Sequence, residues 1–241
     1  MAGCSCTPNS GGRHMGCERP KDCSCLSNMD VQERFYAYYA EGPRKGFLVP
    51  KQLRSSAAIF ECNKFCNCGP GCKNRVVQHG RKVPLEIFPT EDRGWGLRCT
   101  ENLRKGQFVD TYKGEIITDE EAERRDRARV LKDVYTFALD KFERGEDDPL
   151  YVIDGEFAGG PTRFINHSCD PNLRIYAVSL NHYSPSLYEL AFFAIKDIPE
   201  NTELTFDYIG REASSTIPHG SHEGERLQCF CKSSSCRGYL F

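Results

Sequence analysis

Four cysteine pairs separated by a single residue, at 4 and 6, 23 and 25, 66 and 68, and 229 and 231, constrain this chain more than any other feature. Two sulfurs so close along the backbone are badly placed to bond to each other and well placed to share a metal ion. They belong to a set of 14 cysteines, the others standing at 17, 62, 72, 99, 169 and 236. A disulfide scaffold would suit the even total, but such scaffolds are usually small secreted domains. The N-terminal Met-Ala-Gly-Cys-Ser-Cys carries no apolar segment of secretory length. Isolated reduced thiols would sit singly on apolar faces and show no repeated short gap. The spacing therefore predicts metal ligation.

The first nine cysteines, Cys4, Cys6, Cys17, Cys23, Cys25, Cys62, Cys66, Cys68 and Cys72, fall into blocks of five and four. Independent tetrahedral zinc sites take four ligands each, so two separate sites would leave one thiol over. Three zinc ions need twelve ligand positions, which nine thiolates fill when three sulfurs bridge two metals each. The count therefore predicts a trinuclear Zn3Cys9 cluster whose metals tie together the ends of residues 26–61, which need little secondary structure of their own. At the other end Cys229, Cys231 and Cys236 supply three ligands and lack a fourth, for which Cys99 and Cys169 are the candidates.

Between these blocks lies enough apolar sequence for a core: 39% of the 241 residues are hydrophobic. The longest apolar stretch, Leu190 to Ile195, is far short of the roughly 20 residues of a membrane span. Short apolar runs at Leu85–Phe88, Leu97–Cys99, Tyr151–Ile153, Leu173–Val178, Leu190–Ile195 and Glu203–Phe206 are bounded by Gly, Pro, Asp or Asn, which predicts a mainly β domain with few helices. One helix is expected from Thr118, a capping residue with Glu121 three positions on. Arginines at 124, 125, 127 and 129 follow and read as a solvated face. Residues 211–228, rich in Ser and Gly, read as a connector.

Three further segments occur in a telling order: Arg93-Gly94-Trp95-Gly96-Leu97, then Arg163-Phe164-Ile165-Asn166-His167-Ser168-Cys169, then Glu203-Leu204-Thr205-Phe206-Asp207-Tyr208. Each is weak alone. Together, ahead of C-x-C-x4-C and behind nine cysteines, they closely resemble the SET-domain protein lysine methyltransferases, and among these the heterochromatin (suppressor-of-variegation) class acting on histone H3 lysine 9. The resemblance covers nearly the whole chain. It implies a pre-SET trinuclear zinc-cysteine module over 1–75, a SET catalytic domain over 76–210 and a post-SET connector and zinc module over 211–241. The implied fold is one of small curved sheets with a knot-like C-terminal threading that brings Asn166 and Tyr208 together.

By position, the resemblance assigns Arg93, Gly94, Trp95, Asp133, Tyr135, Arg163, Asn166 and His167 to S-adenosylmethionine, whose product is S-adenosylhomocysteine. It gives Cys169 to a fourth zinc with Cys229, Cys231 and Cys236, leaving Cys99 as a core thiol. Tyr208 becomes the candidate catalytic residue, Tyr112 a second tyrosine lining the lysine channel, and Phe206 a position where the family carries Phe or Tyr. Phe241, with Tyr239 beside it, is expected to close the channel, and Asp140 to meet the arginine before the target lysine.

The chemistry suits these residues. Methyl transfer from a sulfonium to lysine is a direct displacement by a neutral amine, yet lysine titrates near ~10.4, so deprotonation at a pH of about 7.5 costs roughly 4 kcal/mol. A narrow apolar channel beside a positive sulfur lowers that pKa by desolvation and like-charge repulsion, without a carboxylate base. Aromatic walls also hold a methylated ammonium through cation–π attraction. Phe206 lacks a hydroxyl to tether the amine through water, which leaves room for di- and trimethylation.

Metallation also changes the charge. Nine thiolates on three Zn2+ leave −3 and four on one leave −2, which takes the formal −2 of the chain to about −7. A clearly acidic protein suits a basic H3 tail and argues against direct sequence-specific DNA binding. The expected setting is nuclear chromatin, in heterochromatin formation and gene silencing alongside silencing proteins. Two alternatives differ in substrate or class: a SET enzyme for another histone or non-histone lysine, and a catalytically idle zinc scaffold or histone reader. The second predicts loss of Tyr208 or of the Asn166-His167 pair, and both are present.

Overall fold

The longest apolar runs become the two central strands of the main sheet. The computed structural model describes residues 3–6, 17, 19–30, 32–128, 135–143, 145, 148–180, 186–209 and 227–240. Its strands are β1 (Ile59–Phe60), β2 (Leu85–Pro89), β3 (Trp95–Cys99), β4 (Phe108–Thr111), β5 (Glu115–Thr118), β6 (Thr136–Ala138), β7 (Tyr151–Asp154), β8 (Asn166–His167), β9 (Leu173–Ser179), β10 (Glu189–Ala194) and β11 (Thr205–Phe206). The α-helices are α1 (Pro50–Leu53) and α2 (Asp119–Ala128), and short 3-10 turns complete a mostly β molecule. No helix among the described residues is long and apolar enough to cross a membrane.

Four small sheets result. The main one has the order β1-β9-β10-β4, the others β5-β7-β6, β2-β3 and β11-β8. Strand β10 is buried on both faces, which explains its continuous apolar run. Phe192 points into a core with Leu97, Ile165, Leu173 and Leu204. Its neighbour Phe193 points the other way, into a core with Tyr38, Leu48, Ile59 and Val178. The segment after the first five cysteines is therefore more than a loop between metal ligands. It carries α1 and covers one face of the main sheet, and β1 joins that sheet in parallel with β9 through Ile59↔Val178. Glu61, fully buried, fastens the junction by accepting from the Tyr38 hydroxyl (2.7 Å) and the Val76 and Val77 amides (2.9 and 2.8 Å).

The predicted helix is α2. The Thr118 hydroxyl oxygen accepts from the Glu121 amide at 3.3 Å, and three acidic residues fill the first turn. The solvated-face expectation holds for Arg124, which is exposed and paired with Glu121. It fails for Arg125, which reaches Glu115 (2.8 Å) and the buried Asp154 (3.1 Å) and pins the helix to the β5-β7-β6 sheet. Burying Asp154 requires such a partner. Arg129 lies outside the described residues.

Candidate active site and metal centres

Strands β8 and β11 are two residues long and pair in parallel, Asn166 opposite Thr205 and His167 opposite Phe206. This pairing brings the second and third sequence motifs together. The Tyr208 amide donates to His167 Nδ1 (3.1 Å) and its hydroxyl to the Ile165 carbonyl (2.9 Å). The Tyr208 ring lies 4.7 Å from Phe206 and 5.3 Å from His167. Phe206 continues to Phe192 (5.1 Å) and Phe137 (5.9 Å), and Phe137 stands edge-on to Tyr112 at 4.6 Å. Tyr112, Phe137, Phe206 and Tyr208 thus form one aromatic group. The Tyr112 hydroxyl donates to the Tyr135 carbonyl (2.7 Å), and burial, followed by the nearby Tyr208, pushes this phenol well above its ordinary value, so it stays neutral.

The first motif closes against this group through Glu203. Its carboxylate accepts from Arg93 Nη2 (2.6 Å) and from Asn166 Nδ2 (2.9 Å). Asn166 Nδ2 also reaches the Trp95 carbonyl (3.1 Å), while Arg93 Nη1 approaches the His167 carbonyl (3.4 Å). Gly94 turns the chain at φ +65, a left-handed conformation that favours glycine. Trp95 is 57% exposed. The Arg163 guanidinium lies over the Tyr135 ring at 4.5 Å. The Nε atoms of Arg93 and Arg163 are both buried without a hydrogen-bond partner. Arg93 is held by Glu203 (2.6 Å) with Asp92 3.7 Å from its Nε, Arg163 stacks on Tyr135 and Trp95 is exposed, and this set of cationic and aromatic side chains around the Asn166 motif suits S-adenosylmethionine.

His167 links this site to a metal centre. Burial pulls its imidazole down to about 4, so it is neutral near pH 7. Since Nδ1 accepts from Tyr208, the ring proton belongs on Nε2, 3.3 Å from Cys169 Sγ. The sulfurs of Cys169, Cys229, Cys231 and Cys236 all lie within 4.8 Å of one another. Cys169 and Cys229 are 3.8 Å apart, far beyond a disulfide of about 2.05 Å and equal to the edge of about 3.8 Å of a tetrahedron with Zn–S near 2.3 Å. The donor set fits zinc. Arg237 joins the terminal segment to the core by two bonds to Asp207 (2.9 and 2.6 Å). Burial alone would raise the Asp207 carboxyl, but these bonds hold it below the usual carboxylate range. Lys232 pairs with Asp92 (2.8 Å), one residue before Arg93.

The nine N-terminal sulfurs form one continuous nest. Cys4, Cys23, Cys25 and Cys62 gather within 4.8 Å, as do Cys4, Cys6, Cys17 and Cys23, and Cys4, Cys17, Cys62 and Cys68. Independent sites share no ligands, whereas these foursomes overlap. Cys66 joins through Cys25 (3.3 Å) and Cys72 through Cys62 (4.0 Å). Amides of Cys4, Asn63 and Asn74 donate to sulfurs, and Arg75 reaches Cys68 Sγ at 3.6 Å. Burial pushes the Cys4 and Cys68 thiols above their ordinary range, while hydrogen bonds from neighbouring sulfurs hold Cys23 and Cys72 below it. Cys99 lies buried in the apolar core, away from both sets.

Other predicted residues are more scattered. Asp140 is exposed just beyond β6, and Tyr239 is 47% exposed with its backbone paired to Gln228. Asp133 and Phe241 lie outside the described residues. Sequence reasoning gave no role to Glu203, Phe137 or the Asp207–Arg237 pair. The spacing of Tyr135 and Phe137 by two, the period of a strand, is the signal available for Phe137. Glu203 and Arg93 are 110 residues apart and carry no local signal of their pairing.

An aromatic group behind an edge strand, two arginines beside the Asn166-His167 motif and a sulfur cluster fastened to that motif fit one class: a group-transfer enzyme with cysteine clusters that could bind metal. Residues 94–209 match the SET domain and residues 1–75 the Pre-SET motif. The chain belongs to the SET-domain family of S-adenosylmethionine-dependent protein lysine N-methyltransferases. It is 46% identical to the H3 lysine-9 specific histone-lysine N-methyltransferase dim-5 of Neurospora crassa, over 99% of this chain and 77% of the relative. A solved structure that addresses the product specificity of histone lysine methyltransferases covers 100% of this chain and 86% of its own, at 45% identity and TM-score 0.82. KRYPTONITE, solved with mCHH DNA, an H3(1-15) peptide and S-adenosylhomocysteine, is 29% identical at TM-score 0.72, over 100% of this chain and 44% of its own.

Proposed function

We propose that this chain methylates lysine 9 of the histone H3 tail, acting in nuclear chromatin in heterochromatin formation and gene silencing. The observation that carries this reading is the placement of Phe137. It lies on β6, the edge of the β5-β7-β6 sheet, and its ring belongs to the group with Tyr112, Phe206 and Tyr208. An extended peptide added to that edge by main-chain hydrogen bonds lies beside an aromatic channel for one side chain. The H3 lysine-9 specificity of the Neurospora relative and the H3 peptide bound to KRYPTONITE support the substrate.

S-adenosylmethionine, when bound, supplies a methyl group on a positive sulfur for direct displacement by a neutral amine. Arg93, Trp95, Tyr135, Arg163, Asn166 and His167 would hold it, with Asp133 and Gly94 in the same segments. Tyr208, held at its amide by His167, orients the amine through a phenolic oxygen that accepts as well as donates. Tyr112 and Phe137 exclude water and so disfavour the charged ammonium. Asp140, beyond the edge strand, faces the arginine before the target lysine, and Tyr239 with Phe241 closes the channel. Three zinc ions on the nine N-terminal cysteines and one on Cys169, Cys229, Cys231 and Cys236 complete the protein. The division is a pre-SET module over 1–75, a catalytic domain over 76–210 and a post-SET module over 211–241.

Methyl transfer to H3 tail peptides, followed by mass spectrometry, tests the reading. Di- and trimethyl product confined to lysine 9 is expected, and Phe206→Tyr shifts it towards monomethyl. Equal labelling of a tail lacking lysine 9, or none on H3, overturns it.

A further inference from the structure

Phe142 touches two cores at once. Its ring stands edge-on to Tyr188 (5.0 Å, 87°) and tilted against Phe60 of β1 (5.7 Å, 52°). Among the described residues only Phe142 and Ala58 pack against both the catalytic core and the cysteine nest as partly buried side chains. From Phe60 the contacts run into the nest: its carbonyl accepts from Asn74 Nδ2 (2.9 Å), which also reaches Cys62 Sγ (3.6 Å). On the other side, the Tyr188 hydroxyl oxygen accepts from the Lys141 amide (2.8 Å), in the segment that leaves β6.

That segment needs an anchor. Strand β6 has three residues, all only half-buried, and is paired on one side alone. So short an edge is marginal by itself. Its pairing with β7 extends to the Leu139 amide on the Tyr151 carbonyl (2.8 Å), and beyond that the chain is held by the Tyr188–Lys141 bond and the Phe142 ring. A peptide added to β6 inherits whatever position this segment takes, because strand addition reads main chain first.

We propose that Phe142 is a positioning residue that braces the substrate edge strand against the cysteine-rich N-terminal module. This rests on the reading that the H3 tail runs along β6. The N-terminal module then has a part in substrate binding, through a contact that runs from Phe142 to Phe60 and on to Asn74 and Cys62.

Phe142→Ala tests it. The KM and Kd for an H3 tail peptide are expected to rise about tenfold, while the KM for S-adenosylmethionine moves less than about twofold and kcat at saturating peptide falls less than KM rises. Phe142→Leu, which keeps apolar bulk, recovers most of the peptide affinity. Hydrogen exchange is expected to quicken at the Leu139 and Lys141 amides more than at amides of β9 and β10, with bound zinc unchanged. Unaltered exchange at these amides overturns the proposal, as does a parallel loss of peptide and cofactor affinity with a lowered midpoint. Should the wild-type protein fail to bind an H3 peptide, the substrate reading fails, and the exchange measurement still decides the role of Phe142.

Discussion

The two sulfur sites use one chemistry for opposite ends. In the N-terminal nest all sulfurs but that of Cys6 belong to buried residues, and the module is bound to the main sheet by strand pairing and by Glu61. In the C-terminal site Cys236 is exposed and Cys231 half-buried, and the segment is tied down by the ion pairs of Arg237 and Lys232. One ligand there, Cys169, belongs to the same motif as Asn166 and His167. The first site builds the fold. The second gathers the terminal segment beside the Asn166-His167 motif and touches it through His167.

The largest expected effect separates the two outright. Cys62→Ser removes a sulfur at the centre of the nest, and structural zinc is worth on the order of 10 kcal/mol per site, comparable with the roughly 5–15 kcal/mol of a whole domain. Calorimetry should show the N-terminal module unfolded, with most zinc lost. Cys236→Ser should instead lose one zinc and lower turnover on the order of 100-fold, while the midpoint falls only about 2–4 °C for each kcal/mol lost. Equal midpoint losses in the two variants would erase the distinction. Asp207→Asn weakens a pair that is partly open to solvent, so a rise of about three- to tenfold in the KM for S-adenosylmethionine is expected. Lys232→Ala should have the smallest effect, about twofold or less, and it should vanish at high salt because the pair is exposed. A Lys232 effect larger than that of Asp207 would make the Glu91–Asp92 contacts the stronger tether of the terminal segment.

The sequence shows these sites unequally. Cysteine spacing carries the N-terminal nest because metal geometry acts over a few residues, and Cys169 joins the terminal three through its motif. Long apolar runs such as those of β9 and β10 are legible because burial leaves few polar positions, Arg174 and Ser179 in β9 and Glu189 at the start of β10. Strands β6 and β8 are not: Thr136-Phe137-Ala138 is half-buried throughout, and Asn166-His167 is polar and becomes a strand only because Thr205-Phe206 lies beside it. Glu203 is hidden for the same reason, since its partners Arg93 and Asn166 come from distant segments. Arg125 looks like its solvated neighbours until the buried Asp154 is seen beneath it.

The parallel pair of β1 with β9 also sets an order of events in time. Ile59 must wait for Val178, a further 119 residues of synthesis, which at about 5–20 residues per second takes roughly 6–24 s. The nine thiols are complete at Cys72, well before that strand exists. Metal capture can therefore finish early and present Ile59–Phe60 as a ready edge for the main sheet before its partner strand has been made.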